Sequence, residues 1–159
     1  MLKIGVISDT HLDRTTQEFQ NQIKKIFNDV DIIIHSGDMV SRHVYDYLSN
    51  WDIRAVLGNM DNFELRHILP EKRVEKIGGN KIGVIHGRGS PYGLPDLVYQ
   101  EFNDVDIIIF GHSHVPFHEK KGNVELFNPG SFKVSYGQSG TAGIIEITDK
   151  ARFTHIEVT

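Results

Sequence analysis

Seven aspartate, histidine and asparagine residues follow short apolar runs in this sequence, and as a set they have the chemistry of a metal site. Asp9 and His11 come after residues 2–7, Asp38 after 30–34, Asn59 after 53–57, His86 after 81–85, and His112 with His114 after 105–110. Cysteine is absent, which excludes disulfides, a cysteine nucleophile, iron–sulfur clusters and thiolate zinc sites. Any metal must be held by imidazole, carboxylate and amide groups, a set suited to manganese, iron, nickel or zinc in an open site. Two divalent ions ~3.5–4 Å apart need a bridging carboxylate, which Asp38 can supply, and a shared water. Asp9-x-His11 and His112-x-His114 would each put two ligands on one face of an extended segment, because side chains there alternate with period two. The glycines before Asp38, Asn59 and His112 would permit tight turns beside the ions.

Each position also has a plain structural reading. Asp9 and Asp38 could cap helices, Asn59 could sit in a turn and His86 could be a satisfied core histidine. His112 and His114 resist this, since two imidazoles at one strand end are costly unless used. Of the nine histidines, His35 lies beside Asp38 and could order its loop, while His43, His67, His118 and His155 read as surface positions.

The elements that must position these residues follow from apolar periodicity. Residues 2–7, 30–34 and 53–57 read as strands. Between them, Phe19, Ile23, Ile26 and Phe27 recur at helical spacing behind a capping-box pattern at 15–18, and 41–48 reads as a second helix. This βαβαβ order predicts a parallel sheet with helices packed on it. Residues 73–77 and 81–85 flank Gly78-Gly79-Asn80, a hairpin pattern. Residues 94–102 read as a helix with Pro95 in its first turn. The stretches 105–110, 117–120, 124–127, 142–147 and 153–158 read as strands, with turns at 121–123 and 148–150. No linker or low-complexity tract interrupts the chain, so one domain over residues 1–159, built from two sheets, is expected. Residues 27–34, FNDVDIII, recur letter for letter at 102–109; similar environments or duplication of a βα half would each account for this.

Composition narrows the partners. With 17 basic against 21 acidic residues, a formal −4, the chain lacks the basic surplus needed to grip a nucleic-acid backbone, and a nucleic-acid polymer is not expected. The apolar runs are too short to cross a bilayer, and the first residues do not resemble a signal peptide. A cytoplasmic protein without membrane contact is expected. There is no P-loop, no His-Glu-x-x-His motif, no dinucleotide fingerprint around residues 87–93 and no Gly-x-Ser-x-Gly elbow.

In their order, Asp9-x-His11, Gly37-Asp38, Gly58-Asn59, His86 and Gly111-His112-x-His114 resemble the motifs of the calcineurin-like metallophosphoesterases over residues 5–114, and Asn128-Pro129-Gly130-Ser131 extends the match. The small size is similar to the compact prokaryotic phosphodiesterase branch. The resemblance implies an α/β fold, a four-layer αββα sandwich of two mixed β-sheets flanked by helices. It implies one metal on Asp9, His11, Asp38 and His114, and a second on Asp38, Asn59, His86 and His112. Mn2+ is the expected metal, with Ni2+, Fe2+ or Zn2+ as alternatives. The resemblance also implies phosphoester hydrolysis by a metal-bridging hydroxide, with Asp38, Asn59 and His112 as catalytic residues and Asn59 also touching the phosphate. The branch implies a homodimer.

The chain departs from the family pattern in two places. Many phosphomonoesterases of the family place a histidine directly after the Asn59 position, where it helps protonate the leaving group; here Met60 stands, followed by Asp61. Methionine cannot donate a proton, so the general acid is unassigned and good leaving groups are favoured. Met60 would be an apolar wall of the pocket and Asp61 a turn cap. Arg88 stands near where relatives carry a second histidine, and its planar fork could grip a phosphate oxygen of the substrate. Charge points the same way: two divalent ions against Asp9, Asp38 and a hydroxide leave about +1, which one phosphodiester anion neutralises. The reading is a binuclear metal-dependent phosphodiesterase for small diesters. The alternatives are a metal-poor protein-interaction scaffold of the same fold, as in the retromer sorting subunit it resembles at fold level, and a nuclease acting on short nucleic acids.

Overall fold

The computed structural model describes residues 1–133 and 139–159. The chain runs through β1 (Leu2–Ile7), α1 (Gln17–Ile26), β2 (Ile32–His35), α2 (Arg42–Leu48), β3 (Asp52–Ala55), α3 (Phe63–Ile68), β4 (Lys72–Ile77), β5 (Asn80–Ile85), α4 (Leu94–Gln100), β6 (Ile107–Ile109), β7 (Phe117–Lys121), β8 (Val124–Asn128), β9 (Gly140–Ile147) and β10 (Ala151–Val158). These strands form two five-stranded mixed sheets, ordered β10-β9-β1-β2-β3 and β4-β5-β6-β8-β7. In the first, β1, β2 and β3 are parallel; in the second, β5, β6 and β8 are parallel.

Side-chain alternation along the strands divides the core into layers. Ile4, Val6, Ile32 and Ile34 of the first sheet meet Ile82, Val84, Ile107 and Ile109 of the second in one apolar seam. Residues of the opposite parity, Ile7 and Ile33, pack instead with Phe19, Ile23, Val44, Leu48 and Leu65 from α1, α2 and α3. On the second sheet's outer face Ile108 packs with Leu94 and Val98 of α4. The order helix, sheet, sheet, helix is the expected αββα sandwich.

The duplicated octapeptide has a structural counterpart. Each copy opens on a phenylalanine whose ring covers a strand glycine: a Cβ on Gly5 would lie 2.8 Å from the Phe27 ring, and one on Gly83 2.8 Å from the Phe102 ring. The covered strands are themselves identical, KIGVI at 3–7 and at 81–85, and pair in the same register, Ile4 with Ile32 and Ile82 with Ile107. Even the exposed ion pairs repeat, Lys3 Nζ to Asp29 at 2.7 Å and Lys81 Nζ to Asp104 at 2.5 Å. Similar core environments do not account for a repeated surface pair; duplication of a βα half does.

Three of the differences from the sequence expectation concern helices. The N-cap of α1 is Thr16, whose hydroxyl accepts from Phe19 N–H, so the cap falls one residue later than a box of Thr15 with Glu18. Helix α4 stops at Gln100 rather than 102. Helix α3 has no counterpart in the periodicity, because Leu65 is its one buried residue.

Candidate metal centre

The carboxyl ends of β1, β2 and β3 in one sheet, and of β5 and β6 in the other, meet at one edge of the sandwich, and their loops are bonded together. Asp9 N–H donates to the Gly37 carbonyl at 3.0 Å, His11 N–H to Asp38 at 3.1 Å, and Gly111 N–H to His86 at 3.1 Å. The ligand pairs are not presented by extended alternation, as the spacing suggests. Asp9, His11, Asp38, His112 and His114 all have left-handed backbones, with φ of 55°, 47°, 61°, 72° and 63°. Asp and His enter this region more readily than branched residues. Val40, at φ 81°, is held there from both sides, its N–H donating to Asp61 Oδ1 at 2.7 Å and its carbonyl accepting from Asn62 N–H at 3.0 Å.

The motif glycines serve more than turns. Gly37 combines φ +104° with a close approach, since a Cβ would lie 2.6 Å from His86 Nδ1. Gly58 and Gly111 are needed for space alone: a Cβ would fall 2.2 Å from Asp38 Oδ1 at the first and 2.1 Å from Ser8 Oγ at the second.

The side chains converge in two groups, Asp9, His11 and His114, and Asp9, Asp38 and His86, each with ligand atoms within 4.8 Å of one another. Asp9 Oδ1 lies 3.3 Å from His114 Nε2, 3.6 Å from His11 Nε2 and 3.9 Å from His86 Nε2. Asp38 Oδ2 lies 3.1 Å from His86 Nε2 and 3.7 Å from His11 Nε2. Yet Asp9 Oδ1, His11 Nε2 and His86 Nε2 are buried without a hydrogen-bond partner. Each such orphaned polar atom costs about 1–3 kcal/mol, and a cation among them would satisfy all three, so this donor set fits a divalent metal. His112 and Asn59 stand outside the two groups, His112 half-buried with its ring centroid 5.2 Å from that of His86, and Asn59 exposed. Asp9 and Asp38 cap no helix; the caps are Thr16, Ser41, Asn62 and Gly93.

The outer atoms of these groups are already engaged, which aims the inner ones. His86 Nδ1–H donates to the Ser36 carbonyl at 2.8 Å, leaving the Nε2 lone pair for the centre, and His112 Nε2–H donates to Gly89 at 2.8 Å, leaving Nδ1. Asp9 Oδ2 accepts from Ser8 Oγ at 2.6 Å and from His112 N–H at 3.3 Å. Asp38 Oδ1 accepts from Met60 N–H at 2.7 Å. Burial pushes the Asp9 carboxyl up, but the imidazoles of His11, His114 and His86 with the Ser8 hydroxyl outweigh it and hold Asp9 well below the usual range. Asp38 is likewise pushed up by burial and held low by His86 and Met60 N–H. His114 is raised by its contact with Asp9, and His86 is raised by Asp38 and Asp9 against its own burial.

Other residues support the centre, some in ways the sequence reading named and some in ways it missed. Asp61 is buried and caps no turn: Oδ2 accepts from Gly58 N–H at 2.7 Å and Asp38 N–H at 3.3 Å, and Oδ1 from Val40 N–H. It thereby clamps the Asp38 loop to the Asn59 loop, against a burial that raises its own carboxyl. Met60 is no pocket wall, since its side chain is exposed and its backbone does the bonding. His35 does order the loops: fully buried, it accepts Gly37 N–H on Nδ1 at 3.1 Å and bonds Thr10 Oγ1 through Nε2 at 3.2 Å. His155 is not a surface residue, for it stacks on Phe127 at 4.6 Å and bonds the Asn128 carbonyl at 2.7 Å. Asn128 in turn donates to the Gly111 carbonyl at 3.0 Å, and Ser131 Oγ to the Asp9 carbonyl at 3.2 Å. Arg88 is exposed at the rim of a cleft of about 260 Å³ that Asn59 and His86 also line.

The chain belongs to the calcineurin-like phosphoesterase superfamily, whose domain matches residues 2–150; metallophosphoesterases are hydrolases that use divalent metal. Over 134 residues it is 41% identical to a Methanocaldococcus jannaschii protein named a probable metallophosphoesterase, covering 80% of this chain and 67% of that one. A solved structure described as a novel archaeal phosphodiesterase superposes with a TM-score of 0.77 at 28% identity, over 98% of this chain and 99% of the other. Vps29 of Chaetomium thermophilum shares the fold, with a TM-score of 0.78 at 21% identity over 99% and 97% of the two chains. Among the described residues no helix is long and apolar enough to cross a membrane.

Proposed function

We propose that this protein is a binuclear metal-dependent phosphodiesterase acting on small diesters, working in the cytoplasm as a homodimer with Mn2+, or with Ni2+, Fe2+ or Zn2+ in its place. The place of Asp38 carries the reading. Its Oδ2 stands 3.7 Å from His11 Nε2 of one sheet and 3.1 Å from His86 Nε2 of the other, between the two groups that Asp9 also joins, which suits a carboxylate shared by two ions. Asp9, His11, Asp38 and His114 would hold one ion, and Asp38, Asn59, His86 and His112 the other. When bound, such a pair supplies a shared water acidic enough to attack phosphorus and offsets charge on the phosphoryl oxygens. The protein fixes the imidazoles through the Ser36 and Gly89 carbonyls, so little reorganisation accompanies binding. Asn59 and Arg88 contact the substrate. Met60 offers no proton to the leaving group, so diesters with acidic alcohols turn over best.

The test loads the purified protein with each metal and compares an aryl phosphodiester with the matching aryl phosphomonoester. With Mn2+ the diester should be favoured in kcat/KM by at least about tenfold; equal or faster monoester turnover overturns the reading. Asp38→Asn removes the bridging charge and should empty both sites together, whereas full metal content and activity in that variant would refute the assignment. The shared fold with Vps29 keeps a scaffold as the second reading, favoured if the protein takes up no metal and hydrolyses nothing. Short DNA oligomers assayed in parallel decide the nuclease alternative.

A further inference from the structure

The cleft beside the candidate metal centre contains two guanidinium groups, Arg88, which the proposed function sets against the substrate, and Arg66, to which it gives no role. Its wall is formed by Asn59 after β3, His86 and Arg88 after β5, Arg66 from α3, Glu71, and Leu97 from α4. It therefore opens between the two sheets and shares two residues with the candidate metal centre. Of the five arginines outside the cleft, four are neutralised at close range, Arg42 by Asp46 at 3.1 Å, Arg54 by Asp52 and Glu75 at 2.8 Å, Arg73 by Glu75 at 2.7 Å and Arg152 by Glu146 at 2.8 Å, and the fifth, Arg14, is exposed and lines no part of this cleft. Among the described residues Arg66 has no carboxylate within ion-pair distance. Its Nε donates to the Asp61 carbonyl at 3.3 Å, which fixes the side chain at the cleft and leaves its terminal nitrogens for another partner. Arg88 reaches Glu101 through one nitrogen at 3.4 Å, and its side chain is 74% exposed. Glu71 lines the same wall beyond ion-pair distance of both.

We propose that Arg66 and Arg88 form a subsite for a second anionic group, a phosphomonoester carried on the alcohol portion of the diester. This deepens the proposed phosphodiesterase reading and rests on it. The single negative charge of a diester is matched at the metals. A second phosphate finds no partner there, while two planar guanidiniums at the cleft can each take it in a bidentate pair. Glu71 opposes a longer run of phosphates on this wall, which selects one terminal group. The substrate class is thus a phosphorylated diester, such as a 5′-phosphorylated nucleoside 3′-diester.

The experiment pairs two chromogenic substrates, thymidine 3′-(p-nitrophenyl phosphate) with and without a 5′-phosphate, on the manganese-loaded protein. The 5′-phosphorylated compound should be preferred in kcat/KM by about tenfold or more, and Arg66→Gln and Arg88→Gln should each remove most of that preference. Arg152→Gln, on the far strand β10, should leave the ratio unchanged. Calorimetric titration of thymidine 3′,5′-bisphosphate reads the same subsite without turnover, and each cleft variant should weaken binding about tenfold. Bisphosphate affinity that is the same in wild type and both variants overturns the subsite, whether or not the diesters are hydrolysed. If neither diester is hydrolysed while both variants still weaken bisphosphate binding, the phosphodiesterase reading falls and the anionic subsite stands. Should Arg66→Gln fail to fold, because Arg66 also bonds the Asp61 carbonyl, Arg88→Gln decides on its own.

Discussion

His35 is the ring that locks two ligand loops together, and its burial has a measurable consequence. With no exposure and both nitrogens engaged by Gly37 and Thr10, its pKa is pushed down from 6.5 to about 3, chiefly by burial, with the nearby Asp9 carboxylate opposing. Cations bound at the centre would push it further the same way. A folded state that binds this proton less tightly than the unfolded chain is fully stabilised above pH 6.5 and loses stability as pH falls from there towards 3. The loss runs at about 1.4 kcal/mol per pH unit, so it reaches about 2 kcal/mol at about pH 5. His35→Asn keeps an acceptor near Nδ1 for Gly37 N–H and removes the titration. At about pH 7.5 it should cost about 2–4 kcal/mol for the lost ring volume and the Thr10 bond. Urea unfolding of chelator-treated wild type and variant, repeated at descending pH, should show that gap narrowing by about 2 kcal/mol by about pH 5. Other titrating groups cancel in the difference. A gap that stays constant over the range would show that His35 titrates freely in the folded protein, and the account of its burial would fail.

Other outcomes follow from the clamps around the centre. Asp61→Asn leaves one oxygen where two now accept three backbone N–H groups, and should cost about 2–4 kcal/mol in chemical unfolding while lowering metal content; wild-type values in both measurements would refute the clamp. Gly111→Ala drives a Cβ into the buried Ser8 hydroxyl and should destabilise by about 1–3 kcal/mol. Adding Ser8→Ala should recover part of that loss, because the nearest remaining Ser8 atom is Cβ at 3.2 Å; a double variant no better than the single would point to another cause. At the acid end, Asp9 and Asp38 are held below the usual 3.8, so their contribution is present above that pH and lost below it. Asp9→Asn should therefore flatten the acid limb of a thermal-unfolding profile below about pH 4.

The sequence pointed to the candidate centre because its residues each follow an apolar run, and strand ends are where an α/β sheet presents polar groups. The layers came from the family resemblance rather than from alternation, since Ile32, Ile33 and Ile34 are the same letter and all buried, so nothing in them records which face meets the other sheet. What lay hidden were contacts made by ordinary letters. Asp61 reads as a turn residue because nothing local reveals that its three donors come from two different loops. Helix α3 buries only Leu65, so no period betrays it. The repeat of KIGVI is plain in the letters, but it gains meaning only from the matching register and the phenylalanine rings over Gly5 and Gly83. The left-handed backbones at Asp9, His11, Asp38, His112 and His114 cannot be told from extended ones by residue type, since aspartate and histidine occur in both.

Those five backbones bear on how the protein can change over generations. Each non-glycine residue held left-handed costs about 1–2 kcal/mol, so the five together amount to a large share of the ~5–15 kcal/mol that typically separates a folded domain from its unfolded chain. Glycine at any of them would relieve that strain and remove a proposed ligand in one step. For the backbone alone, loss of a proposed ligand therefore lies downhill, while the favourable contacts of the Asp9 and Asp38 carboxylates, and any cation they hold, oppose it. A lineage freed from selection for bound ions should shed Asp9, His11, Asp38, His112 and His114 early, and keep Asn59 and His86, whose backbones are unstrained, as the last traces of the centre.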